Sequence, residues 1–211
     1  MRRALVLGAG GPAGIAWEVG FIAGMADGGI DLRGADLFVG TSAGAVVAAQ
    51  ITSGAALEDL FRSQVDPDQQ IEELTPPVGF TQLRDQIAAA KEGGGGAGEI
   101  LRRVGALALA APTVSESERR NVIASRLPVH AWPDDNMLVV GVDVESGQRQ
   151  SFDRASGATL VDAVAASCAV PGIWPPVSIN GHRYMDGGTS RVPQFVGTWV
   201  WSLERCRRSA G

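Results

Sequence analysis

The 211-residue chain is poor in the residues from which disulfide frameworks, metal centres and basic binding faces are built. It has two cysteines, Cys168 in an apolar stretch and Cys206 in a basic tail. Neither has metal-ligand spacing, and two cysteines make no disulfide framework. They read as one small buried residue and one exposed thiol. Lysine is nearly missing: of 18 basic residues all but Lys91 are arginine. That is a habit of composition, not a binding device. Net charge is −5, with acids and bases interspersed, which excludes the basic face of a nucleic-acid binder. No apolar run reaches the roughly 18 residues that a membrane-spanning helix needs. Arg2-Arg3 and Ala4-Leu5-Val6-Leu7 are too short for a secretory signal, and Glu18 interrupts the next apolar stretch. A cytoplasmic location is the default expectation. No cofactor and no metal is expected, and nothing legible sets an oligomeric state. The length suits one sizeable domain with a real core.

What is present centres on Leu37 to Val47. Leu37-Phe38-Val39 is a short apolar strand, and Ala43 onwards is helical in composition. Between them lies Gly40-Thr41-Ser42-Ala43-Gly44, the pattern Gly-x-Ser-x-Gly. A serine on a sharp strand-to-helix turn needs small neighbours two residues either side, because strand and helix backbones approach closely there. An ordinary turn that happens to hold a serine reads the same way, so other segments must decide.

The first strand, Ala4 to Leu7, is continuously apolar, as in a strand buried on both faces. It runs into Gly8-Ala9-Gly10-Gly11-Pro12-Ala13-Gly14, and a helix is expected from about Ile15 to Asp27. The glycine turn has three readings. Gly8-x-Gly10-x-x-Ala13 fits a dinucleotide-binding fingerprint. That fold expects a carboxylate ending the second strand, and Asp36 stands at the wrong end of it. Tight strand–helix packing is the plainest reading. The third is an oxyanion site, in which glycine N–H groups and a helix N-terminus face a developing negative charge. Parallel neighbouring strands would bring this turn and Ser42 to one sheet edge.

Helices are expected over Ala43–Thr52, Ala55–Ser63, Phe80–Lys91 and Ile100–Ala110, and another after a Ser115 cap. Residues 64–112 are the least informative, with loops at Pro67, Pro76-Pro77 and Gly79. Met137–Val144 and Gln148–Phe152 form a hairpin, in which Asp143 reads as structural. Ala158–Ala169 is a helix of small and apolar residues. Val177–Ile179 and His182–Met185 pair around Asn180-Gly181, a strong hairpin turn. Their second strand delivers Asp186 to its end, before Gly187-Gly188, a site-like position.

Taken together these segments resemble the patatin-like phospholipases, a family of lipid acyl hydrolases. Leu7 to Gly14 is similar to the family's glycine-rich oxyanion motif, and Gly40 to Gly44 to its nucleophile elbow. Ala166 to Gly172 with Pro175-Pro176 resembles the segment before its catalytic acid, and Asp186-Gly187-Gly188 its Asp-Gly-Gly motif. The resemblance implies an α/β fold of three layers, α/β/α, around a mostly parallel central sheet. It implies a Ser42–Asp186 dyad without histidine and an acyl-serine intermediate. Gly10 and Gly11 would be the oxyanion donors, and Gly14, Gly40, Gly44, Gly187 and Gly188 would shape the turns. The partner implied is a lipid or fatty-acyl ester, met through transient contact with a membrane surface. The family domain would span 1–190, leaving 191–211 as an atypical tail. Two features depart from the family. Ala13 stands where it usually carries a basic residue, and Thr189 to Gly211 does not match its usual ending.

Three rivals accompany this reading. A generic α/β-hydrolase would use Ser42, Asp153 or Asp162, and His182, although only one strand precedes Leu37. A dinucleotide-binding protein would use Gly8 to Ala13. A catalytically impaired homologue would be consistent with Ala13 and the tail.

Overall fold

The computed structural model describes residues 3–77, 85, 87–90, 92–189 and 199–202. The expected helix over Phe80–Lys91 is therefore seen only in part, with residues 87–90 helical. Cys206 and the rest of the tail beyond Ser202 lie outside the described residues.

The buried run at the start forms β1 (Arg3–Leu7), followed by α1 (Gly11–Asp27). This helix begins at Gly11, earlier than the Ile15 its apolar spacing suggests. Pro12 explains the difference: its fixed φ suits the first helical turn, where its missing N–H would have no intrahelical acceptor. Next come β2 (Leu37–Gly40), α2 (Ala43–Ile51) and α3 (Leu57–Val65). After these stand α4 (Ala97–Ala110) and α5 (Glu116–Ser125). Ser115 and Glu118 close a capping box at the start of α5. The remaining elements are β3 (Met137–Asp143), β4 (Arg149–Phe152), α6 (Leu160–Ser167), β5 (Val177–Ile179), β6 (His182–Asp186) and β7 (Trp199–Ser202).

The seven strands form one mixed sheet. At its centre β1, β2 and β3 run parallel, with Leu7 level with Gly40 and Gly40 level with Val139. The two loops that leave β1 and β2 therefore emerge at the same edge, as the α/β reading requires. Antiparallel strands surround this centre: β7 on β1, β4 and β6 on β3, and β5 on β6.

The layers arise from alternation along β3. Met137 and Val139 join the larger core with β1, β2, α1, α2 and α6. Val142 and Val144 turn to the opposite face and pack with Leu101 and Val104 of α4. Helices thus cover both faces, giving the expected three layers. All nine residues of α2 are buried, because it lies against the sheet with α1 and α6 beside it.

α2 touches β1 more closely than any side chain allows. A Cβ on Gly44 would stand 2.3 Å from the Leu7 carbonyl carbon. One on Gly40 would stand 2.5 Å from Ala45 Cα. We expect Gly44→Ala to lower the unfolding free energy by more than about 2 kcal/mol in urea melts, an overpacking cost against backbone that cannot rotate away. Gly24→Ala is the control: nothing lies within 4 Å of its Cβ position. That substitution should be neutral, or stabilising by up to about 1 kcal/mol.

Candidate active site

The site forms where β3 changes partners. Phe38 N–H donates to the Asn136 carbonyl, and Val144 N–H donates to the Arg183 carbonyl. Asp143 N–H instead donates to the Gln148 carbonyl. Even and odd residues of a strand point their backbone groups to opposite edges, so β2 and β6 share one edge of β3 while β4 takes the other. β2 arrives from one end and stops at Gly40, opposite Val139. β6 arrives from the other end and stops at Asp186, opposite Gly141. The two strand ends meet head-on, two residues apart along β3, or about 7 Å.

Val140 faces the gap between them. Its carbonyl accepts a hydrogen bond from the Ser167 hydroxyl at 2.6 Å. The Ser167 oxygen in turn accepts the Ser42 N–H at 2.8 Å. Ser167 is fully buried at the end of α6. The sequence places it inside a motif without marking it, because its role is visible only once three elements converge on it.

Ser42 has φ 54° and ψ −117°, a left-handed backbone in a residue with a side chain. Such strain costs on the order of 1–3 kcal/mol and persists only where the surroundings fix it. Here they do. Gly44 N–H donates to the Gly8 carbonyl at 2.8 Å, and Thr41 N–H to that of Leu7 at 3.1 Å. The Ser42 carbonyl accepts from Ala45 N–H at 2.9 Å and from the Cys168 thiol at 3.4 Å. Burial pushes the Cys168 thiol up to about 12, so it stays a neutral donor.

The strained turn brings the Ser42 side chain close enough to Asp186 to favour its ionised form. Asp186 is 4 % exposed. Its N–H donates to the Ala169 carbonyl at 2.8 Å, and its Oδ1 accepts Gly188 N–H at 2.7 Å. Burial lifts its carboxyl from 3.8 to about 6, against the opposing pull of the nearby Ser42 side chain and of the Gly188 hydrogen bond. Gly187 cannot carry a side chain, since its Cβ would lie 2.5 Å from the Val140 carbonyl oxygen.

The glycine loop closes the third side. A Cβ on Gly188 would lie 3.1 Å from Ala9 Cβ, and one on Gly14 3.2 Å from Ala43 Cβ. The Asp186 turn, the loop and the start of α2 are therefore in contact. Gly11 has φ +60° and Gly10 caps the helix. The ladder of α1 begins with Gly14 N–H donating to the Gly10 carbonyl at 2.9 Å. Helix geometry gives the Gly11 and Ala13 N–H groups no acceptor within the helix. They stand at its positive end.

The other candidates lie elsewhere. His182 begins β6, the strand that Asp186 ends, which separates them by about 13 Å. Its Nδ1 is 3.0 Å from Asp143 Oδ2. Asp143 also accepts from Glu145 and Ser146, so it caps the hairpin turn. Asp162 is bound by Arg120 and Thr159, and Asp153 caps its own turn. His130 contacts the Ala124 carbonyl on the surface. The Ser–His–Asp rival is not assembled. A depression of about 860 Å³ lies at the other end of β2 and β3, beside Leu37 and Met137. Among the described residues no cluster of His, Cys, Asp or Glu could hold a metal ion.

A family profile described as patatin-like phospholipase matches residues 5–194. The chain belongs to the patatin-like phospholipase family. No curated protein sequence matches it significantly. Among solved structures it is similar to VipD from Legionella pneumophila, with a TM-score of 0.52 and 13% identity. That match covers 94% of this chain and 47% of VipD, so the chain spans about half the length of that relative. At this identity the likeness speaks for the fold. In this patatin-like chain the profile ends before β7, whose backbone returns to pair with β1.

The lifted Asp186 carboxyl has a stability consequence. The folded state holds this proton more tightly than the unfolded chain does. The burial penalty is absent below about pH 3.8, grows between about 3.8 and 6, and is complete above. It amounts to about 3 kcal/mol. Asp186→Asn should therefore unfold at higher denaturant than wild type at pH 8, and the advantage should shrink towards zero by pH 4.

Proposed function

We propose that this chain is a serine acyl hydrolase acting on lipid-like esters, with Ser42 as nucleophile and Asp186 as its base. The observation that carries this reading is the placing of Ser42, on its strained turn, beside a buried carboxylate lifted to about 6. An ordinary aspartate is too weak a base near neutrality, and one near 6 is better matched.

The chemistry runs in two halves. Ser42 Oγ attacks the ester carbonyl while its proton passes to Asp186. The tetrahedral oxyanion lies against backbone N–H groups of Gly10 and Gly11 at the start of α1. Each such donor contributes about 2.7–4 kcal/mol of transition-state stabilisation. The bond to the leaving alkoxide breaks as Asp186 returns the proton to it. Water then attacks the acyl-serine, giving its proton to Asp186, and release of the fatty acid restores the Ser42 hydroxyl.

A further feature supports a lipid ester. Trp17 and Phe21 stack at 5.5 Å on the outside of α1 and are exposed, as is Phe61 of α3, whose ring lies 3.8 Å from the Cβ position of Gly20. This aromatic patch suits transient contact with a lipid surface. Among the described residues no helix is long and apolar enough to cross a membrane.

The test is covalent labelling with a fluorophosphonate, the modified residue being mapped by mass spectrometry. Labelling at Ser42 is expected, and its absence from folded protein would sink the reading. On a p-nitrophenyl ester, Ser42→Ala and Asp186→Ala should lower kcat by about 10⁴, whereas His182→Ala should not. Equal rates for wild type and Ser42→Ala would identify a non-catalytic homologue, consistent with Ala13. The proton must be off Asp186 for attack. Accordingly kcat/KM should climb tenfold per pH unit below about 6 and level off above it.

A further inference from the structure

Glu18 is a buried acid that the proposed chemistry does not use. It lies in the second turn of α1, is 3 % exposed, and shares its buried face with Ile15, Val19 and Ile22. One oxygen, Oε1, accepts the Gly8 N–H at 2.8 Å. The other, Oε2, is buried with no hydrogen-bond partner among the described residues. A group that served packing alone would be apolar here, because a buried carboxyl with an orphaned oxygen weakens the fold.

We propose that Glu18 is a positioning residue for the oxyanion loop: its carboxyl holds the Gly8 peptide from which the loop departs. In doing so it fixes where the Gly10 and Gly11 N–H groups point. The inference rests on the oxyanion role proposed for that loop.

Gly8 is where the loop leaves β1, and its peptide groups are held from two sides. Glu18 holds the N–H, and Gly44 of the nucleophile turn donates to the carbonyl at 2.8 Å. At the far end, Gly14 N–H donates to the Gly10 carbonyl at 2.9 Å. Between these anchors the chain is Ala9-Gly10-Gly11, with Gly11 at φ +60°. Glycines restrict their own backbone least of all residues, so a fixed loop shape must come from its anchors. Glu18 therefore couples α1 to the loop at its hinge, one peptide away from the elbow of Ser42. Burial pushes the Glu18 carboxyl up from 4.5 to about 7, against the pull of the Gly8 hydrogen bond, which fits a group kept in place despite its surroundings.

The full chain is compared with Glu18→Gln, which keeps a carbonyl acceptor, and Glu18→Leu, which fills the space without one. Glu18→Met replaces the leucine variant if that one does not fold. The readouts are amide hydrogen exchange of the segment 8–14, denaturant unfolding, and kcat and KM on a p-nitrophenyl ester. The apolar variant should be at least as stable as wild type. Its exchange at Gly8 to Gly11 should be tenfold faster or more, and its kcat at least tenfold lower, with KM within twofold. The glutamine variant should stay within threefold of wild type throughout. An apolar variant with exchange and kcat within twofold of wild type overturns the proposal, and so does a glutamine variant as impaired as the apolar one. Exchange needs no turnover. If it responds as expected while wild type lacks Ser42-dependent hydrolysis, the loop-holding role stands and the catalytic reading falls.

Discussion

The carbonyl of Val140 faces a place where the sheet has no strand, and the site is organised around the hydroxyl that answers it. β2 and β6 both end there, so the ladder along that edge of β3 is interrupted. Ser167 bridges the interruption, donating to the Val140 carbonyl and accepting from Ser42 N–H. One side chain therefore spans the gap in the sheet and ties down the strained turn beside it. The Asp186 backbone is tied in the same way, through Ala169, two residues further along the chain. α6 and the segment after it thus brace both strand ends.

The chain allocates polar atoms sparingly in this region. Few polar or charged residues are buried among those described, and Ser42, Ser167, Asp186 and Glu18 are four of them. All four lie at the carboxyl edge of the parallel strands or beneath the loop that leaves it. Both acids are lifted by burial, Asp186 to about 6 and Glu18 to about 7, so each weakens the fold as pH rises through that range. The large apolar core of α1, α2 and α6 around β1 to β3 offsets that cost.

Much of this was legible from the sequence where one segment carries its own signal. The apolar run of β1, the Gly40 to Gly44 spacing and the Asn180-Gly181 turn each reflect local sterics, and each sits where expected. Ser42 and Asp186 could be picked out because each stands just after or at the end of a strand, beside or near glycine. What could not be read was anything requiring two distant segments. Ser167 is one serine among small residues until Val140 and Ser42 approach it across 27 and 125 positions. Glu18 interrupts an apolar pattern, and only the fold shows that Gly8 is what it serves. The start of α1 was misplaced because glycine and proline usually signal a loop, whereas here Pro12 belongs to the first turn.

The head-on meeting of β2 and β6 makes the sheet a ruler. Ser42 and Asp186 are placed along β3 by counting residues, one from each direction, and not by loops free to adjust. A slip of one residue in β6 would shift Asp186 by about 3.3 Å and turn its side chain to the opposite face. The phase of β6 is set where it begins, at Asn180 and Gly181, both with positive φ. A two-residue turn at the far end of the strand thus keeps the proposed base in step with its serine, without touching either.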